Sequence, residues 1–214
     1  MTHYILPDTH TVAETVILAN GLFPTHPIPL SILRNASYIV CCDGAIDNLS
    51  QTKIEPHAIV GDCDSLSAEN KKRFAEILHP VSEQETNDLT KAVNFCVAQG
   101  RKDIVILGAT GKREDHTIGN ISLLCEYQSY ANVLMLSDYG CFVPITDSAT
   151  FDSVKGQQVS IFCIDSKPIS SEGLMYAITD QAFTNWWQAT LNEALSDEFS
   201  LYPSGRTVVY RSLL

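Results

Sequence analysis

The chain has 214 residues, of which 45% are hydrophobic and 18% are charged. This composition excludes an intrinsically disordered chain, and the length suffices for one large domain or two small ones. The 14 Lys and Arg against 25 Asp and Glu give a formal net charge of −11, so the sequence offers no cationic footprint for nucleic acid or an anionic membrane.

Short apolar runs alternate with amphipathic segments along the first two-thirds of the chain. Buried strands are predicted at residues 16–19, 38–42, 58–60, 104–107 and 133–136. Helices are predicted at residues 67–77, with Ser67 as N-cap, and at 88–99 and 117–127. Strands that alternate with helices favour an open, mostly parallel α/β sheet.

Two proline-containing or irregular segments receive no helix or strand. We interpret Pro24, Pro27 and Pro29 as marking a loop, and we assign no element to residues 2–11.

After about residue 140 the predicted strands become short and broken, at 142–143, 158–164, 174–178 and 207–210. Only residues 185–195 are a candidate helix there, so we expect a small antiparallel β domain with its boundary near residues 139–148.

The seven cysteines are odd in number and include no Cys-x-x-Cys pair. We therefore interpret them as small buried hydrophobic residues of a chain in a reducing compartment rather than as a zinc or redox site. The first eight residues also lack the basic and then apolar order of a signal peptide. We expect a cytoplasmic protein, and no apolar run approaches the ~20 residues of a membrane span.

Acidic residues follow several predicted strands. They are Asp43 after residues 38–42, Asp62 and Asp64 after 58–60, Asp88 at the start of helix 88–99, and Asp115 after 104–107. Ligands of open α/β sheets bind at the carboxyl ends of the strands. If the strands are parallel neighbours, these five carboxylates converge on one edge.

So many carboxylates at one edge would repel each other unless a cation lies among them, and oxygen ligands suit Mg²⁺. Asp62 and Asp64 flank one residue, so in an extended segment both side chains point the same way and Cys63 points into the sheet. The alternative is an ordinary turn with Asx hydrogen bonds. The other acidic strand ends favour the metal site.

Donors for a phosphate ligand also occur near these acids. Gly108 and Gly111 lie in a tight loop that opens a helix, where free backbone N–H groups bind anions, and Lys112 and Arg113 add cationic donors. Lys91 shares a helical face with Asp88, although a solvated lysine paired with Asp88 is the alternative. The P-loop and the Gly-x-Gly-x-x-Gly signatures are both absent from the sequence.

Together these segments resemble the thiamine pyrophosphokinase family. The specific part is the order of three motifs: GDCDS at 61–65, the segment 84–91, and the segment 108–120. In the C-terminal part, GLMY at 173–176 resembles a Gly-Leu-x-aromatic strand, and LSDEF at 195–199 resembles a Ser-Asn-Glu-Phe turn. The chain departs from the family pattern at Ala45, Asn87 and Asp197, which stand where the family often has Gly, Thr and Asn.

The resemblance implies an α/β, ATP-binding catalytic domain at residues 1–140 and a β-sandwich domain at 141–214 that binds thiamine and forms a homodimer. It implies Mg²⁺-dependent transfer of a pyrophosphoryl group from ATP to the thiamine hydroxyl, with release of AMP. For the catalytic residues it implies Mg²⁺ ligands at Asp62, Asp64 and Asp88, with Asp115 as a base, an orienting group or a further metal ligand.

The resemblance also implies the contacts with both substrates. Phosphate and nucleotide contacts would come from Asp43, Gly44, Gln84, Lys91, Gly108, Gly111, Arg113 and His116. Thiamine contacts would come from Tyr176, Ser196 and Asp197. Trp186 is a second candidate for a cation–π contact, but the core of the β domain or a dimer interface is the favoured interpretation of Trp186 and Trp187. For His116, a histidine that merely starts a helix is equally compatible.

Other functions compete with this one. Asp-x-Asp after a strand also occurs in metal-dependent nucleotide-sugar transferases, which would not explain residues 84–91 or the β domain. A phosphatase with an aspartyl nucleophile would have Thr or Val where Leu66 stands. A non-catalytic thiamine or nucleotide sensor would have no need of so many mutually repelling carboxylates, and a purely structural protein is the weakest alternative.

Overall fold

The computed structural model describes residues 1–64 and 66–214. The strands, in chain order, are β1 (Thr2–Tyr4), β2 (Thr15–Leu18), β3 (Tyr38–Cys42), β4 (Ala58–Gly61), β5 (Leu78–Pro80), β6 (Asp103–Leu107), β7 (Asn132–Leu136), β8 (Gly140–Ile145), β9 (Ala149–Asp152), β10 (Gln158–Cys163), β11 (Pro168–Glu172), β12 (Gln181–Ala182), β13 (Asn192–Glu193), β14 (Glu198–Pro203) and β15 (Thr207–Ser212). The α-helices are α1 (Pro27–Asn35), α2 (Ile46–Leu49), α3 (Ala68–Arg73), α4 (Asp88–Ala98) and α5 (Glu114–Tyr127).

Contacts divide the chain into two compact units. The α/β unit comprises residues 9–120 and 130–138, and the β unit comprises residues 1–8, 121–129 and 139–214. These units are interleaved in sequence, whereas the sequence analysis expects contiguous domains at 1–140 and 141–214. The assignment of catalysis to one domain and of thiamine binding to the other stays a prediction.

The α/β unit is built on a parallel sheet of order β7-β6-β2-β3-β4-β5. The predicted open parallel sheet is confirmed, and each predicted strand of this part lies within two residues of an observed one. Strand β2 lies between β3 and β6, where Ile17 is opposite Val40 and Ile106 and all three are fully buried. Burial on both faces explains why these strands are continuous apolar runs. Strand β5, at Leu78–Pro80, is too short and too polar to give that signal.

The predicted helices of the α/β unit are present with small changes of boundary. Ser67 caps α3 by accepting a hydrogen bond from the Asn70 N–H at 3.1 Å, as predicted. The loop interpretation holds for Pro24 but was wrong for Pro27 and Pro29, because α1 begins at Pro27 and includes Pro29. Proline suits a first helical turn, where its missing N–H would have had no intrahelical partner. His26 caps this helix by accepting a hydrogen bond from the Ile28 N–H at 3.3 Å.

The β unit contains two sheets, β13-β10-β15-β8 and β1-β9-β14-β11-β12. Their pairing is antiparallel except where β1 runs parallel to β9, so the first residues form a strand that the sequence did not reveal. The predicted strand at 174–178 was wrong: β11 precedes it, and Leu174 forms only an isolated bridge with Ala194. The candidate helix at 185–195 is a 3₁₀ turn at Trp186–Ala189 followed by β13.

All seven cysteines are free and buried, which confirms that they act as small apolar residues. In the part of the chain that the structure describes, no helix has the length and apolar character needed to cross a membrane. Ala45 has φ −61°, so the departure from glycine at this position causes no backbone strain.

Candidate active site

A cavity of about 460 Å³ opens at the carboxyl ends of the parallel strands in the α/β unit. Of the predicted site residues, it is lined by Asp62, Gln84, Asp88, Lys91, Arg113 and His116. It is also lined by Lys112, which was predicted as a cationic donor, and by residues that received no predicted role, among them Asn20, Gly21, Cys42, Asn87, Thr110 and Asn120. Asp43, Gly44, Asp64, Gly108, Gly111 and Asp115 do not line it in this structure. The cavity therefore combines carboxylates with cations.

Two of the five predicted carboxylates, Asp43 and Asp88, approach the end of β4, and a third, Asp62, directly follows that strand in the chain. A Cβ atom placed on Gly61 would lie 2.8 Å from Asp43 Cβ and 3.4 Å from Asp88 Oδ1, so glycine permits these two acids to approach the strand. Burial raises the pKa of the Asp88 carboxyl, Lys91 opposes this rise, and the charges of Asp62 and Asp43 add to it. A carboxyl with a raised pKa among like charges in a cavity is typical of a functional site.

Asp62 and Asp64 do not form the extended pair that the sequence analysis expected. Cys63 between them has φ +64°, and the Asp64 N–H donates to Asp62 Oδ1 at 3.0 Å. This hydrogen bond is the chief cause of the lowered pKa of Asp62, and the Gln84 side chain and Lys91 act in the same direction. The turn with an Asx hydrogen bond, which was the alternative interpretation, is thus the one observed. Asp64 is exposed, and Ser65, the last residue of the motif, lies outside the described residues.

The acidic residues suit Mg²⁺ in chemistry but do not form a ready ligand cluster. Among the residues that the structure describes, no three His, Cys, Asp or Glu side chains are placed together as metal ligands. Magnesium in phosphate-transfer sites typically uses one or two carboxylates and completes its octahedron with phosphate oxygens and water. The donor set at this cavity, Asp62 and Asp88, fits that requirement because both supply hard oxygen ligands beside cationic groups.

Lys91 is held inside the site rather than on the surface. Its side chain is 3% exposed, and Nζ lies 3.4 Å from Asp88 Oδ1. The interpretation as a solvated lysine was wrong, although the predicted pairing with Asp88 one helical turn away is observed. A buried ammonium group that faces a cavity presents a fixed positive charge to an anionic ligand.

The loop after β6 has the backbone conformation expected of an anion-binding turn. Gly108 and Gly111 have φ +66° and +86°, values that favour glycine. Thr110, Lys112 and Arg113 of this loop line the cavity.

Asp115 is paired with the neighbouring Arg113 and is not grouped with the other acids. Its Oδ1 accepts a hydrogen bond from Arg113 Nε at 3.1 Å, and both side chains are largely exposed. Hydrogen bonds from the Arg113 side chain and from the His116 N–H lower the pKa of Asp115 to about 2. Because β2 separates β6 from β3, the loop that carries Asp115 is one strand removed from Asp43.

The loop after β2 is the part of the site that the sequence analysis missed. Asn20 and Gly21 line the cavity, and Asn20 Oδ1 lies 3.3 Å from Lys112 Nζ. The Gly21 and Leu22 N–H groups donate to the carbonyl oxygens of Gly108 and Thr110, at 2.5 and 2.8 Å. Their position could have indicated a role in the site, because they follow a predicted parallel strand as the acidic motifs do. They were overlooked because they carry no charge.

The predicted thiamine contacts lie in the β unit. The Tyr176 side chain is exposed, and its backbone N–H and carbonyl both hydrogen-bond the side-chain amide of Asn192, at 3.0 and 2.8 Å. Ser196 and Asp197 are exposed and precede β14. Trp186 and Trp187 are 42% and 73% exposed, so the interpretation of these two residues as domain core was wrong.

A second groove, of about 620 Å³, lies at the amino ends of β3 and β4 in the α/β unit. It is larger than the first cavity, and Arg34, Lys53, Glu55 and His57 line it together with apolar residues. These four side chains are exposed, and Glu55 pairs with Arg73 at 3.3 Å. By volume alone this groove would be the better candidate for a ligand site. The cavity at the carboxyl ends differs from it in holding a partly buried pair of opposite charges, Asp88 and Lys91.

Comparison with known protein families gives two matches in chain order. Residues 30–135 match the family model described as the catalytic domain of thiamin pyrophosphokinase. Residues 140–210 match the model described as its substrate-binding domain. The two models together cover most of the chain.

Individual relatives agree with these matches. The chain is 32% identical over 130 residues to thiamin pyrophosphokinase 1 of Caenorhabditis elegans, which covers 55% of this chain and 53% of that protein. It is 29% identical over 161 residues to thiamine pyrophosphokinase 1 of Oryza sativa, with 64% and 60% covered. The matched regions thus span little more than half the length of these curated relatives.

Solved structures show the same fold. A thiamin pyrophosphokinase family protein from Enterococcus faecalis superposes with a TM-score of 0.80 at 21% identity, over 94% of this chain and 100% of that one. Thiamin pyrophosphokinase from Candida albicans superposes with a TM-score of 0.79 at 18% identity, over 100% and 93%.

Proposed function

Because the chain belongs to the thiamin pyrophosphokinase family, we propose that it is an enzyme that transfers a pyrophosphoryl group from ATP to the hydroxyl of thiamine. The products would be thiamine diphosphate and AMP. The observation that carries the proposal is the cavity at the carboxyl ends of the strands, where Asp62 and Asp88 lie with Lys91, Lys112 and Arg113. A polyphosphate chain with a bound divalent cation requires this mixture of charges.

The cationic residues would bind and orient the triphosphate. Lys91 is fixed by burial and by Asp88, so its charge is in place before the ligand arrives. Arg113 and Gln84 would contact phosphate oxygens from the cavity wall, and the loop that contains Gly108 and Gly111 would contribute backbone N–H groups. Asp43 and Gly44 would lie near the nucleotide, and His116 would supply a polar contact. Transfers of this kind depend on positioning and on charge neutralisation more than on covalent help from the protein.

Asp62 and Asp88 would hold Mg²⁺, and Asp64 is the predicted third ligand. When bound, Mg²⁺ neutralises negative charge on the phosphate oxygens. Asp115 was predicted as a base, an orienting group or a metal ligand, and we propose that it orients Arg113. A carboxylate whose pKa is about 2 is a weak proton acceptor, and this one is already hydrogen-bonded to that guanidinium.

Thiamine would be bound by the β unit through Ser196, Asp197 and an aromatic face from Tyr176 or Trp186. A homodimer is carried over from the resemblance, and the exposed side chains of Trp187, Leu191 and Tyr176 are compatible with an interface in the β unit. A reducing cytoplasm suits seven free cysteines.

The test is the nucleotide product formed when the purified protein meets thiamine, ATP and Mg²⁺. We expect AMP and thiamine diphosphate in equal amounts, which places the attack at the β-phosphorus. ADP as the product would contradict pyrophosphoryl transfer. Binding of ATP and thiamine without any turnover would instead identify a sensor.

A further inference from the structure

Two asparagine side chains connect the two walls of the candidate active site. Asn120 of α5 is 8% exposed, and its Nδ2 donates to the Ala109 carbonyl oxygen at 2.8 Å. Its Oδ1 accepts a hydrogen bond from Asn87 Nδ2 at 3.1 Å. Asn87 in turn caps α4, because its Oδ1 accepts from the Thr90 N–H at 2.9 Å. The chain of hydrogen bonds therefore runs from the first turn of α4 to the loop after β6.

Backbone groups at both ends fix the direction of this chain. The Thr90 N–H is a donor only, so the oxygen of the Asn87 amide must face it and the nitrogen must face Asn120. The Ala109 carbonyl is an acceptor only, so the nitrogen of the Asn120 amide must face it. Each amide thus has one orientation that satisfies both of its neighbours. Hydrogen bonds aligned in this way also strengthen one another in a partly buried site.

The two walls that the chain connects carry different chemical groups. The first turn of α4 carries Asp88 and Lys91, whereas the loop after β6 carries Thr110, Lys112 and Arg113. A ligand that spans the cavity must contact both walls at once. A displacement of one wall by about 1 Å can cost two orders of magnitude in rate, because positioned groups act only at the correct distance.

We propose that Asn87 and Asn120 form a positioning pair that sets the spacing between the first turn of α4 and the loop after β6. This role deepens, and rests on, the proposed pyrophosphoryl transfer. Neither residue is assigned a reacting atom: the pair acts through Asp88 and Lys91 on one side and the loop on the other.

The decisive variants are Asn87→Thr, Asn120→Ala and the double variant. A threonine side chain retains an oxygen that can cap α4, but it is too short to replace the amide that reaches Asn120. We expect each single variant to lower kcat by about 10- to 100-fold, with a much smaller change in the KM for ATP. The double variant should be no slower than the worse single variant, because either substitution alone breaks the connection.

A second measurement is independent of catalysis. The N–H groups of Gly21 and Leu22 donate to carbonyl oxygens of the loop after β6, so their hydrogen exchange, read by NMR, reports whether that loop keeps its place. Asn87→Thr should accelerate exchange at these two amides although the substitution lies on α4. The matched control is Asn132→Thr, which removes an amide bonded to Asp103 Oδ1 at 2.7 Å at the opposite edge of the sheet and should change neither kcat nor this exchange.

The outcomes separate this proposal from the proposed function. If the fold-losses of kcat in the two single variants multiply in the double variant, the two residues act as independent ligand contacts, and the positioning pair is overturned. Unchanged exchange at Gly21 and Leu22 in both single variants would also overturn it. If the wild-type protein forms no AMP, the proposed function fails, and the exchange experiment still decides whether the two walls are connected.

Discussion

Among the residues that the structure describes, each of the two units buries one cation, and the surroundings of the two cations differ. Lys91 in the α/β unit is 5% exposed, lines the cavity and has its Nζ 3.4 Å from Asp88 Oδ1. Arg211 in the β unit is fully buried, and its guanidinium donates to the carbonyl oxygens of Tyr4, Ile5 and Asp152 at 2.6 to 3.1 Å. It also lies over the Phe151 ring, 5.2 Å from the centroid.

The difference teaches how a structural buried charge is distinguished from a functional one. The two terminal nitrogens of the Arg211 guanidinium donate to the backbone of two segments, Tyr4 with Ile5 and Asp152, and so hold β1 and the residue after it against the rest of the β unit. The ammonium of Lys91 lines the cavity instead, beside an acidic neighbour, Asp88, whose pKa burial raises. A buried charge that lines a cavity beside a carboxyl of perturbed pKa is a candidate for function, whereas the backbone contacts of Arg211 indicate a structural role.

The largest expected effect is on turnover when Lys91 is replaced. Lys91→Met should lower kcat/KM for ATP by about 10² to 10³, the range seen when one preorganised donor to developing charge is removed. The free energy of unfolding should change little, because methionine replaces the aliphatic stem and the Asp88 side chain, which is 39% exposed, can be solvated. AMP formation and urea unfolding measure the two quantities.

The control for this variant is Lys53→Met, which removes an exposed lysine from the groove at the amino ends of the strands. It should keep wild-type turnover. A comparable loss of turnover in both variants would contradict the assignment of the site to the carboxyl ends.

Replacement of Arg211 should lower the free energy of unfolding, the quantity that Lys91→Met leaves nearly unchanged. Arg211→Met leaves three carbonyl oxygens without their donor, and an unsatisfied buried group costs ~1–3 kcal/mol, so we expect a loss of about 2–4 kcal/mol in the free energy of unfolding, partly relieved by water. Urea unfolding measures it, with Arg34→Met, an exposed arginine, as the control. If Arg211→Met were as stable as the control, the guanidinium would not hold the β unit together.

The sequence predicted the α/β unit better than the β unit, for a physical reason. Strands buried on both faces are continuous apolar runs, so β2, β3 and β6 stood out, whereas β1 and β12 are exposed or intermediate along their length and carry no such pattern. Proline was misread at α1, since composition alone cannot distinguish a loop from the first turn of a helix.

At the site, charge and position carried most of the prediction. Asp62, Asp88, Lys91 and Arg113, which line the cavity, were predicted because charged residues near the ends of parallel strands are conspicuous. Asn20 and Asn120 were missed because an uncharged amide in a loop or helix looks ordinary until its partners are known. The turn at Asp62 depends on a positive φ at Cys63, which the sequence does not reveal because cysteine seldom adopts it.

The smallest expected effect is on stability when Asp165 is replaced, and it tests a second structural charge in the β unit. Asp165 accepts hydrogen bonds from the Arg206 side chain and backbone N–H, which lower its pKa to about 2 from the ordinary 3.8. Because the folded-state pKa lies below the unfolded one, the charged form contributes stability above about pH 4, and this contribution is lost as the pH falls toward 2.

Asp165→Asn should therefore lower the urea midpoint slightly at pH 7, and the difference from wild type should shrink between pH 4 and pH 2. Asp180→Asn, at an exposed acid that forms no ion pair among the described residues, should show no such trend. A difference for Asp165→Asn that stays constant with pH would mean that hydrogen bonding rather than charge holds this loop.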